Sequence, residues 1–315
     1  MTDQPCDCLI IQPIADVAVA RLIEAGLRVH VARDTAFETL RPHLAFARAV
    51  ITRNHGLSGR EIEAAPHLSV VGVHGTGTEK VDKPLLAQRE IALVNTPGAN
   101  AQSVAELTIA LMLGCARRLI AADGAARRGN DRFRQEHRTV ELSARRLGLL
   151  GYGNISGRVA QIAQAIGMEV AVFSRFADKD RLEQAGLTVM PDIDALCRWS
   201  DILSLHGIPD TLPVIDCHRL ALLGPDGFLI NTARGALVDE AALADALSAG
   251  VIAGAALDVL AVEPVVRDHP LLSCPNLILT PHIGGSTQEA LERTGLLVAD
   301  KVLAQLQRTG ALRKD

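Results

Sequence analysis

The chain has 315 residues, of which 48% are hydrophobic, 22% are charged and 3% are aromatic, and its formal net charge is −4. This length accommodates two domains of ordinary size, and the weak negative charge gives no reason to expect binding to nucleic acid or to a membrane. No apolar run reaches the roughly 18 residues of a membrane span, and no N-terminal segment has the order of a signal peptide, so we expect a cytoplasmic protein.

Six cysteines are scattered along the chain without metal-ligand spacing: Cys6, Cys8, Cys115, Cys197, Cys217 and Cys274. Cys6 and Cys8 are close enough in sequence to clip a metal in principle. Because no second pair lies nearby, we interpret them as reduced thiols and expect no metal site.

The first hundred residues alternate strand patterns with helical patterns. Strands are predicted at 9–11, 29–31, 49–52, 69–73 and 91–94, and helices near 15–25 and 59–65. This alternation predicts a small flavodoxin-like α/β domain. No glycine fingerprint follows its first strand, so nucleotide binding is expected elsewhere.

A turn cluster at 95–98 marks a plausible domain boundary, and a long helix is predicted over 101–118. The polar, arginine-rich segment 123–145 has two interpretations, a solvated loop or an arm that packs on another subunit. The sequence alone favours the loop.

A glycine turn joins an apolar strand at 146–150 to an Ala/Ile-rich helical segment, which a second strand at 169–173 follows. Such a βαβ unit with Gly151 and Gly153 at the strand-to-helix turn is typical of a dinucleotide site. Gly151 allows a tight turn, and Gly153 lets the backbone approach a pyrophosphate at the helix N-terminus. Ser156 stands at the third glycine position, and Gly157 follows it. The predicted contacts of this turn are Gly151, Tyr152, Gly153, Asn154 and Ile155.

The end of the second strand bears on the choice of dinucleotide. An NAD-binding unit would have Asp or Glu there, whereas this chain has Ser174 and Arg175. A guanidinium pairs with a 2′-phosphate, and a serine adds a donor. We therefore expect NADP(H), with NAD(H) as the alternative, in which Arg175 is a solvated surface charge and Asp178 or Asp180 supplies the ribose contact.

Further strands are predicted at 188–190, 202–206, 228–231, 253–257 and 277–280. Short connections and right-handed crossovers would give a Rossmann-type doubly wound parallel sheet. The last helix, near 287–307, lies beyond the final strand, and we expect it to return to the first domain. The predicted domains are a discontinuous substrate-binding domain, 1–98 with 287–315, and a dinucleotide-binding domain, 99–286.

Three consecutive strands deliver an arginine, an acid and a histidine to one sheet edge, at Arg234, Glu263 and His282. Each alone has an ordinary structural explanation, but together they suit the reduction of a 2-oxo acid. Histidine is able to protonate the oxyanion near neutral pH. A carboxylate favours the imidazolium and orients it, and the guanidinium binds the substrate carboxylate and polarises the adjacent carbonyl.

The sequence resembles the D-isomer-specific 2-hydroxyacid dehydrogenases over nearly the whole chain. The resemblance rests on these motifs: Asn95-Thr96-Pro97-Gly98, Ser103-Val104-Ala105-Glu106, Gly151-Tyr152-Gly153, Ile230-Asn231-Thr232-Ala233-Arg234-Gly235, Leu257-Asp258-Val259, Glu263-Pro264 and Thr280-Pro281-His282-Ile283-Gly284-Gly285-Ser286-Thr287. It implies the same roles for Arg234, Glu263 and His282, and it implies a homodimer joined through the cofactor domain.

The resemblance also implies further contacts. Asp258 would hold the nicotinamide carboxamide, and the other cofactor contacts assigned with it are Thr232, Ala233 and Gly284. The backbone of Gly75, Thr76 and Gly77 would receive the substrate carboxylate, and further substrate contacts are assigned to Arg53, Asn54, His74, Arg234 and His282.

Three features depart from the family pattern. The substrate loop has Thr52-Arg53-Asn54-His55 where the family often has Arg-Ser, His206-Gly207 replaces His-x-Pro, and 211–216 does not look like the family's Thr-rich loop. The sequence ends at Asp315, and we expect no C-terminal regulatory extension of the kind found in some phosphoglycerate dehydrogenases.

The preferred interpretation is an NADPH-preferring reductase of small 2-oxo acids that forms the D-2-hydroxy acid, with glyoxylate or hydroxypyruvate as the favoured substrate. The first alternative is an NAD-dependent D-3-phosphoglycerate dehydrogenase, although Arg53 with His55 or His74 makes only a modest cationic cluster for a phosphate. The alternative from another class is a dinucleotide-sensing binding protein without turnover.

Overall fold

The computed structural model describes residues 6–207 and 213–310. The chain forms two compact units, which are unit 1, Met1–Asn100 with Gly285–Asp315, and unit 2, Ala101–Gly284. Both are built on parallel sheets, so the predicted class, a Rossmann-type sheet plus a flavodoxin-like α/β domain, is confirmed.

Unit 1 contains a five-stranded parallel sheet of order β2-β1-β3-β4-β5. Its strands are β1 Cys8–Ile10, β2 Val29–Val31, β3 Ala49–Thr52, β4 Val70–Val73 and β5 Ala92–Asn95, and its first helices are α1 Asp16–Glu24, α2 Phe37–Leu44, α3 Gly59–Glu63 and α4 Lys83–Gln88. The strand order reverses between β1 and β3. In an open α/β sheet, ligands bind beyond the carboxyl ends of the strands at such a point.

Unit 2 begins with three helices, α5 Ala101–Ala116, α6 Leu119–Arg127 and α7 Phe133–Glu136. The solvated loop predicted for 123–145 is therefore wrong in part. Arg118, between α5 and α6, has a φ of +50° and so separates the two helices. Of the residues of α6 only Ala125 is buried, so this helix lacks the buried apolar face that an analysis of periodicity detects.

A seven-stranded parallel sheet of order β12-β11-β10-β9-β6-β7-β8 follows. Its strands are β6 Arg146–Leu150, β7 Glu169–Phe173, β8 Thr188–Val189, β9 Ile202–Leu205, β10 Phe228–Asn231, β11 Gly254–Leu257 and β12 Leu277–Leu279, and its helices are α8 Asn154–Ala165, α9 Lys179–Gln184, α10 Ile193–Trp199, α11 Cys217–Leu223 and α12 Glu240–Ser248. The order reverses between β6 and β9, at the glycine turn. Thr211 lies outside the described residues, and the later part of its loop buries Val214 and Ile215.

The last helix, α13 Gln288–Arg308, belongs to unit 1. Val298, Val302 and Leu306 of this helix lie in one buried apolar cluster with Ile10 of β1 and Ile51 of β3. Burial of this apolar face against the sheet holds the C-terminal segment in unit 1.

Candidate functional site

The glycine turn after β6 leaves room for a ligand at the N-terminus of α8. Gly151 has a φ of +92°, and a Cβ there would lie 2.6 Å from the Cα of Gly207, after β9. A Cβ on Gly153 would meet nothing within 4 Å. Because the first N–H groups of α8 lack intrahelical partners and favour anions, these residues fit the pyrophosphate of a dinucleotide.

Ser156 does more than replace the third glycine. It is fully buried, and its Oγ accepts a hydrogen bond from the Gly153 N–H at 2.7 Å and donates one to the Gly153 oxygen at 3.3 Å. The hydroxyl thereby fixes the backbone of Gly153. Asn154 and Ile155 begin α8, and Tyr152 places its hydroxyl 3.4 Å from the position that a Cβ of Gly157 would take.

Ser174 and Arg175, the residues predicted to meet the ribose and its phosphate, follow the end of β7. Ser174 is partly buried and Arg175 is exposed. Asp178, one of the two acids of the NAD interpretation, caps α9, because its Oδ1 accepts hydrogen bonds from the N–H groups of Asp180 and Arg181 at 3.0 and 3.4 Å. Its carboxylate therefore already has a local structural task.

The side chain of Asn231 holds the backbone of the loop after β10. The Asn231 side chain accepts from the Ala233 N–H at 3.0 Å and donates to the Arg234 oxygen at 2.9 Å. The Thr232 hydroxyl pairs with that of Thr108 in α5 at 2.9 Å and is buried. The Thr232 hydroxyl therefore already has a structural partner in α5.

Asp258, after β11, holds the loop that carries His282. Its Oδ1 accepts from the Thr280 hydroxyl at 2.6 Å and the Ile283 N–H at 2.8 Å, and its Oδ2 accepts from the Gly284 N–H at 2.8 Å. The His282 N–H donates to the Asp258 backbone oxygen at 2.9 Å. These contacts support the left-handed backbone of His282, whose φ is +54°.

The structure brings the predicted acid and histidine together. The Nδ1 of His282 lies 2.8 Å from the Oε2 of Glu263, and the side chains are 39% and 30% exposed. A carboxylate only accepts, so Nδ1 carries a hydrogen and Nε2 remains available for a reacting group. Arg234 follows the neighbouring strand β10 and donates from Nη1 to the Ala233 oxygen at 2.8 Å.

In unit 1 the loop after β3 lies at the reversal of the strand order. Arg53 donates from its guanidinium to the Pro13 oxygen at 3.0 Å, and partial burial lowers its pKa. Asn54 is exposed. A second loop, Gly75 to Gly77, follows β4. Its Gly75 N–H already donates to the Thr96 hydroxyl at 2.9 Å, so the capacity of this loop to bind an anion rests on Thr76 and Gly77.

The sequence analysis missed two residues that brace the loop after β3. Gln12 accepts hydrogen bonds from the Arg53 and His55 N–H groups at 3.3 and 2.8 Å. Glu61 is buried and meets His55 Nε2 at 2.7 Å and the Ser58 N–H at 2.7 Å. Burial raises the pKa of Glu61, but its hydrogen bonds outweigh this and lower it below the ordinary value. The capping-box spacing from Ser58 to Glu61 was the available signal.

Two histidines near strand ends are held neutral. Burial, together with the charge of Arg53, lowers the pKa of His74 to about 4. Burial also lowers the pKa of His206 to about 4, and its Nε2 lies 2.8 Å from the Ser204 hydroxyl. Neither side chain therefore supplies a positive charge near neutral pH.

The described residues contain no group of three or more His, Cys, Asp or Glu side chains arranged to hold a metal. Among residues 6–207 and 213–310, no helix is long and apolar enough to cross a membrane.

The fold and the glycine turn define an α/β protein with a dinucleotide-binding unit. Residues 109–284 match the family model of the D-isomer-specific 2-hydroxyacid dehydrogenase NAD-binding domain. The chain is also 34% identical over 307 residues to 2-ketogluconate reductase of Gluconobacter oxydans, covering 96% of each chain. It belongs to the D-isomer-specific 2-hydroxyacid dehydrogenase family, and the resemblance seen in its motifs is confirmed.

Other relatives have different lengths and are described with different substrates. The chain is 35% identical over 299 residues to D-3-phosphoglycerate dehydrogenase of Archaeoglobus fulgidus, covering 94% of this chain and 56% of that one, so it spans little more than half of that relative. The solved structure of an NADPH-dependent glyoxylate/hydroxypyruvate reductase from Sinorhizobium meliloti is similar with a TM-score of 0.85 at 30% identity, covering 98% and 96% of the two chains.

Proposed function

We propose that this protein reduces a small 2-oxo acid to a D-2-hydroxy acid with NADP(H), most favourably glyoxylate or hydroxypyruvate. The observation that carries the proposal is the pair of His282 and Glu263, whose Nδ1 and Oε2 atoms are 2.8 Å apart. The pair lies at the edge of the sheet where strand β10 ends and the loop of Arg234 begins. A dinucleotide-binding unit with an oriented acid/base histidine and a neighbouring guanidinium suits carbonyl reduction.

Each residue has a defined task in this reaction. A nicotinamide dinucleotide held at the turn of Gly151 and Gly153 would supply, in its reduced form, the hydride for the carbonyl carbon. Glu263 accepts from Nδ1 of His282 and so directs Nε2 outward, where it donates a proton to the carbonyl oxygen. Arg234 binds the substrate carboxylate through charge-assisted hydrogen bonds and stabilises the developing negative charge. Asp258, through the loop it holds, keeps His282 in place.

The preference for NADP(H) is supported by the end of β7. A 2′-phosphate finds a guanidinium at Arg175 and a hydroxyl at Ser174, while Asp178 is engaged as the cap of α9. The Sinorhizobium meliloti relative is itself described as NADPH-dependent.

The preference for an unphosphorylated substrate is supported by the charge of the predicted substrate loops. His74 is neutral because its pKa is about 4, and His55 is engaged with Glu61. Arg53 is then the one cation among the residues assigned to the substrate in unit 1. A substrate phosphate binds best to several clustered cations.

We also propose a homodimer joined through unit 2. Leu113 of α5 and Leu119 and Ile120 of α6 are 41%, 52% and 68% exposed, which favours an apolar contact there. Replacement of Ile120 by Glu is expected to convert the dimer to monomers in sedimentation velocity, whereas Ile23→Glu on α1, where the side chain is 55% exposed, leaves the dimer intact. A wild-type monomer would refute this assignment.

Initial rates of NADPH and NADH oxidation test the function directly. The substrates are glyoxylate, hydroxypyruvate, pyruvate, 2-oxoglutarate and 3-phosphohydroxypyruvate. We expect turnover with NADPH and a small unphosphorylated acid. Turnover confined to NADH and the phosphorylated acid would support the phosphoglycerate dehydrogenase alternative, and NADPH binding without any turnover would favour a dinucleotide sensor.

Two variants test the proposed roles of His282 in proton transfer and of Arg175 in NADPH binding. His282→Ala should lower kcat by about 10²- to 10⁴-fold, the usual contribution of a general acid, with NADPH binding retained. Arg175→Ala should weaken NADPH binding about tenfold or more and leave NADH unaffected, since a hydrogen bond to a charged group contributes about 1.5–3 kcal/mol. Arg181→Ala, an exposed arginine on α9, is the matched control. An unchanged cofactor preference in Arg175→Ala contradicts the proposed NADP(H) site.

A further inference from the structure

We propose that Glu240, with His269, is a positioning residue for catalysis that fixes the loops carrying Glu263 and Arg234. The inference rests on the proposed function, because it concerns the same site. The segment Leu260–Glu263 follows β11 and ends on Glu263, the predicted catalytic acid. These residues are largely exposed to solvent, so their position depends on a few directed contacts.

Glu240 makes one of these contacts from a rigid support. It is the first residue of α12, whose N-terminus is capped by the Asp239 carboxylate and whose Leu243 and Leu247 are buried in the core of unit 2. Its Oε1 accepts a hydrogen bond from the Ala261 N–H at 2.7 Å. The helix thereby holds the backbone of the exposed loop two residues before Glu263.

His269 holds the second oxygen of Glu240. Its Nε2 lies 3.1 Å from the Glu240 Oε2, while its Nδ1 accepts the N–H of Leu271 at 3.3 Å. Because Nδ1 accepts, the ring hydrogen is on Nε2 and points to the carboxylate. Leu271 is buried, and the two polar side chains are only 17% and 14% exposed. The carboxylate is thus held from both sides.

The Leu260–Ala261 peptide contacts both Glu263 and the loop that carries Arg234. Glu263 accepts the Leu260 N–H at its Oε1, at 3.1 Å, and uses its Oε2 for His282. On the other side, a Cβ at Gly235 would stand only 1.9 Å from the carbonyl carbon of Leu260, so the backbone beside Arg234 packs directly on this peptide. A shift of the Leu260–Ala261 peptide would therefore displace Glu263 and the Arg234 loop together.

Replacement of Glu240 by Ala is expected to lower kcat with the best 2-oxo acid by about 10- to 100-fold, since small misplacements of catalytic groups have effects of this size. NADPH affinity, measured by fluorescence titration, should stay within about twofold because no cofactor contact is lost.

A graded series separates positioning from general damage. Glu240→Gln should recover part of kcat, since its amide oxygen still accepts from Ala261 while its NH2 group, unlike the carboxylate, cannot accept from Nε2 of His269. His269→Ala should have a smaller effect than Glu240→Ala. Asp245→Ala, an exposed acid on the same helix, should match the wild type in every measurement. A Glu240→Ala variant with wild-type kcat, or with an activity loss in proportion to unfolded protein, would overturn the proposal.

Hydrogen exchange keeps this test separate from that of the proposed function. The amides of Leu260 and Ala261 should exchange faster in Glu240→Ala than in the wild type, while those of α12 stay protected. If the wild type turns over none of the 2-oxo acids, the proposed function fails, and unchanged exchange at these two amides then refutes the positioning role as well.

Discussion

At the scale of single residues, the two glycines of the turn after β6 have different tasks. Gly151 is needed by the fold, because its φ of +92° and its 2.6 Å approach to Gly207 both exclude a Cβ. Gly153 has an extended backbone, with φ −164°, and free space where a Cβ would stand. Any residue adopts that conformation, so glycine there is explained by the approach of a ligand.

Paired alanine variants separate these two tasks. Gly151→Ala should destabilise unit 2 by at least about 1–2 kcal/mol, the usual cost of a left-handed conformation for a residue with a Cβ. Gly153→Ala should unfold at the wild-type urea concentration but bind NADPH about tenfold more weakly or worse, an effect of about 1.4 kcal/mol. Equal stability losses in the two variants, or undiminished NADPH affinity in Gly153→Ala, would contradict this division.

The sequence predicted the candidate site residues better than it predicted the side chains that hydrogen-bond to them. The juxtaposition of Glu263 with His282 follows from strand order alone, since parallel strands end at one sheet edge. The bracing by Glu240 and Gln12 did not, because it depends on which side chains of distant segments meet. The bracing by Glu61 is local and has a sequence signal in its capping-box spacing from Ser58. Asp258 illustrates the limit, since its buried hydrogen bonds to the His282 loop have no periodic signal.

At the scale of elements, α13 shows how apolar burial decides where a helix belongs. Its buried face includes Leu306, which is fully buried, whereas Leu296 on the same helix is 38% exposed. Gly72 of β4 lies under this helix, and a Cβ there would stand 2.7 Å from the Val302 Cγ2. The close approach of helix and strand makes the interface sensitive to lost volume.

Leu306→Ala should therefore destabilise the protein by about 2–5 kcal/mol, the range for truncation of a buried leucine. Leu296→Ala removes the same atoms from an exposed site and should change stability by no more than about 0.5 kcal/mol. Urea unfolding followed by circular dichroism measures both. A small effect of Leu306→Ala would show that α13 is not anchored through this face.

Helices that the sequence did not predict are short, contain proline or bury few side chains. Helix α2 contains Pro42, helix α4 has six residues with Pro84 near its start, and α6 buries only Ala125. Proline usually signals a helix end, and short helices take their stability from tertiary packing rather than from local sequence. Long apolar strands were predicted to within about a residue, because burial on both faces of a parallel sheet leaves a continuous apolar run.

At the scale of the whole molecule, each unit contains one histidine whose neutrality links its stability to pH. The pKa of His74 in unit 1 and that of His206 in unit 2 are each lowered from 6.5 to about 4. Between these two values the unfolded chain binds a proton that the folded chain does not. The stability that depends on the neutral imidazole is therefore full above pH 6.5 and declines as the pH falls toward 4.

Each histidine should lower stability by about 2 kcal/mol between pH 7 and pH 5, given about 1.4 kcal/mol for each unit of pKa difference. Unfolding by urea across this range tests the prediction with His74→Gln and His206→Gln, whose amides do not titrate. Comparison with the wild type cancels the other titrating groups, so each variant should show a flatter dependence on pH. Slopes equal to the wild type would show that these imidazoles become protonated in the folded protein, and His74 would then be able to add a positive charge for a substrate phosphate.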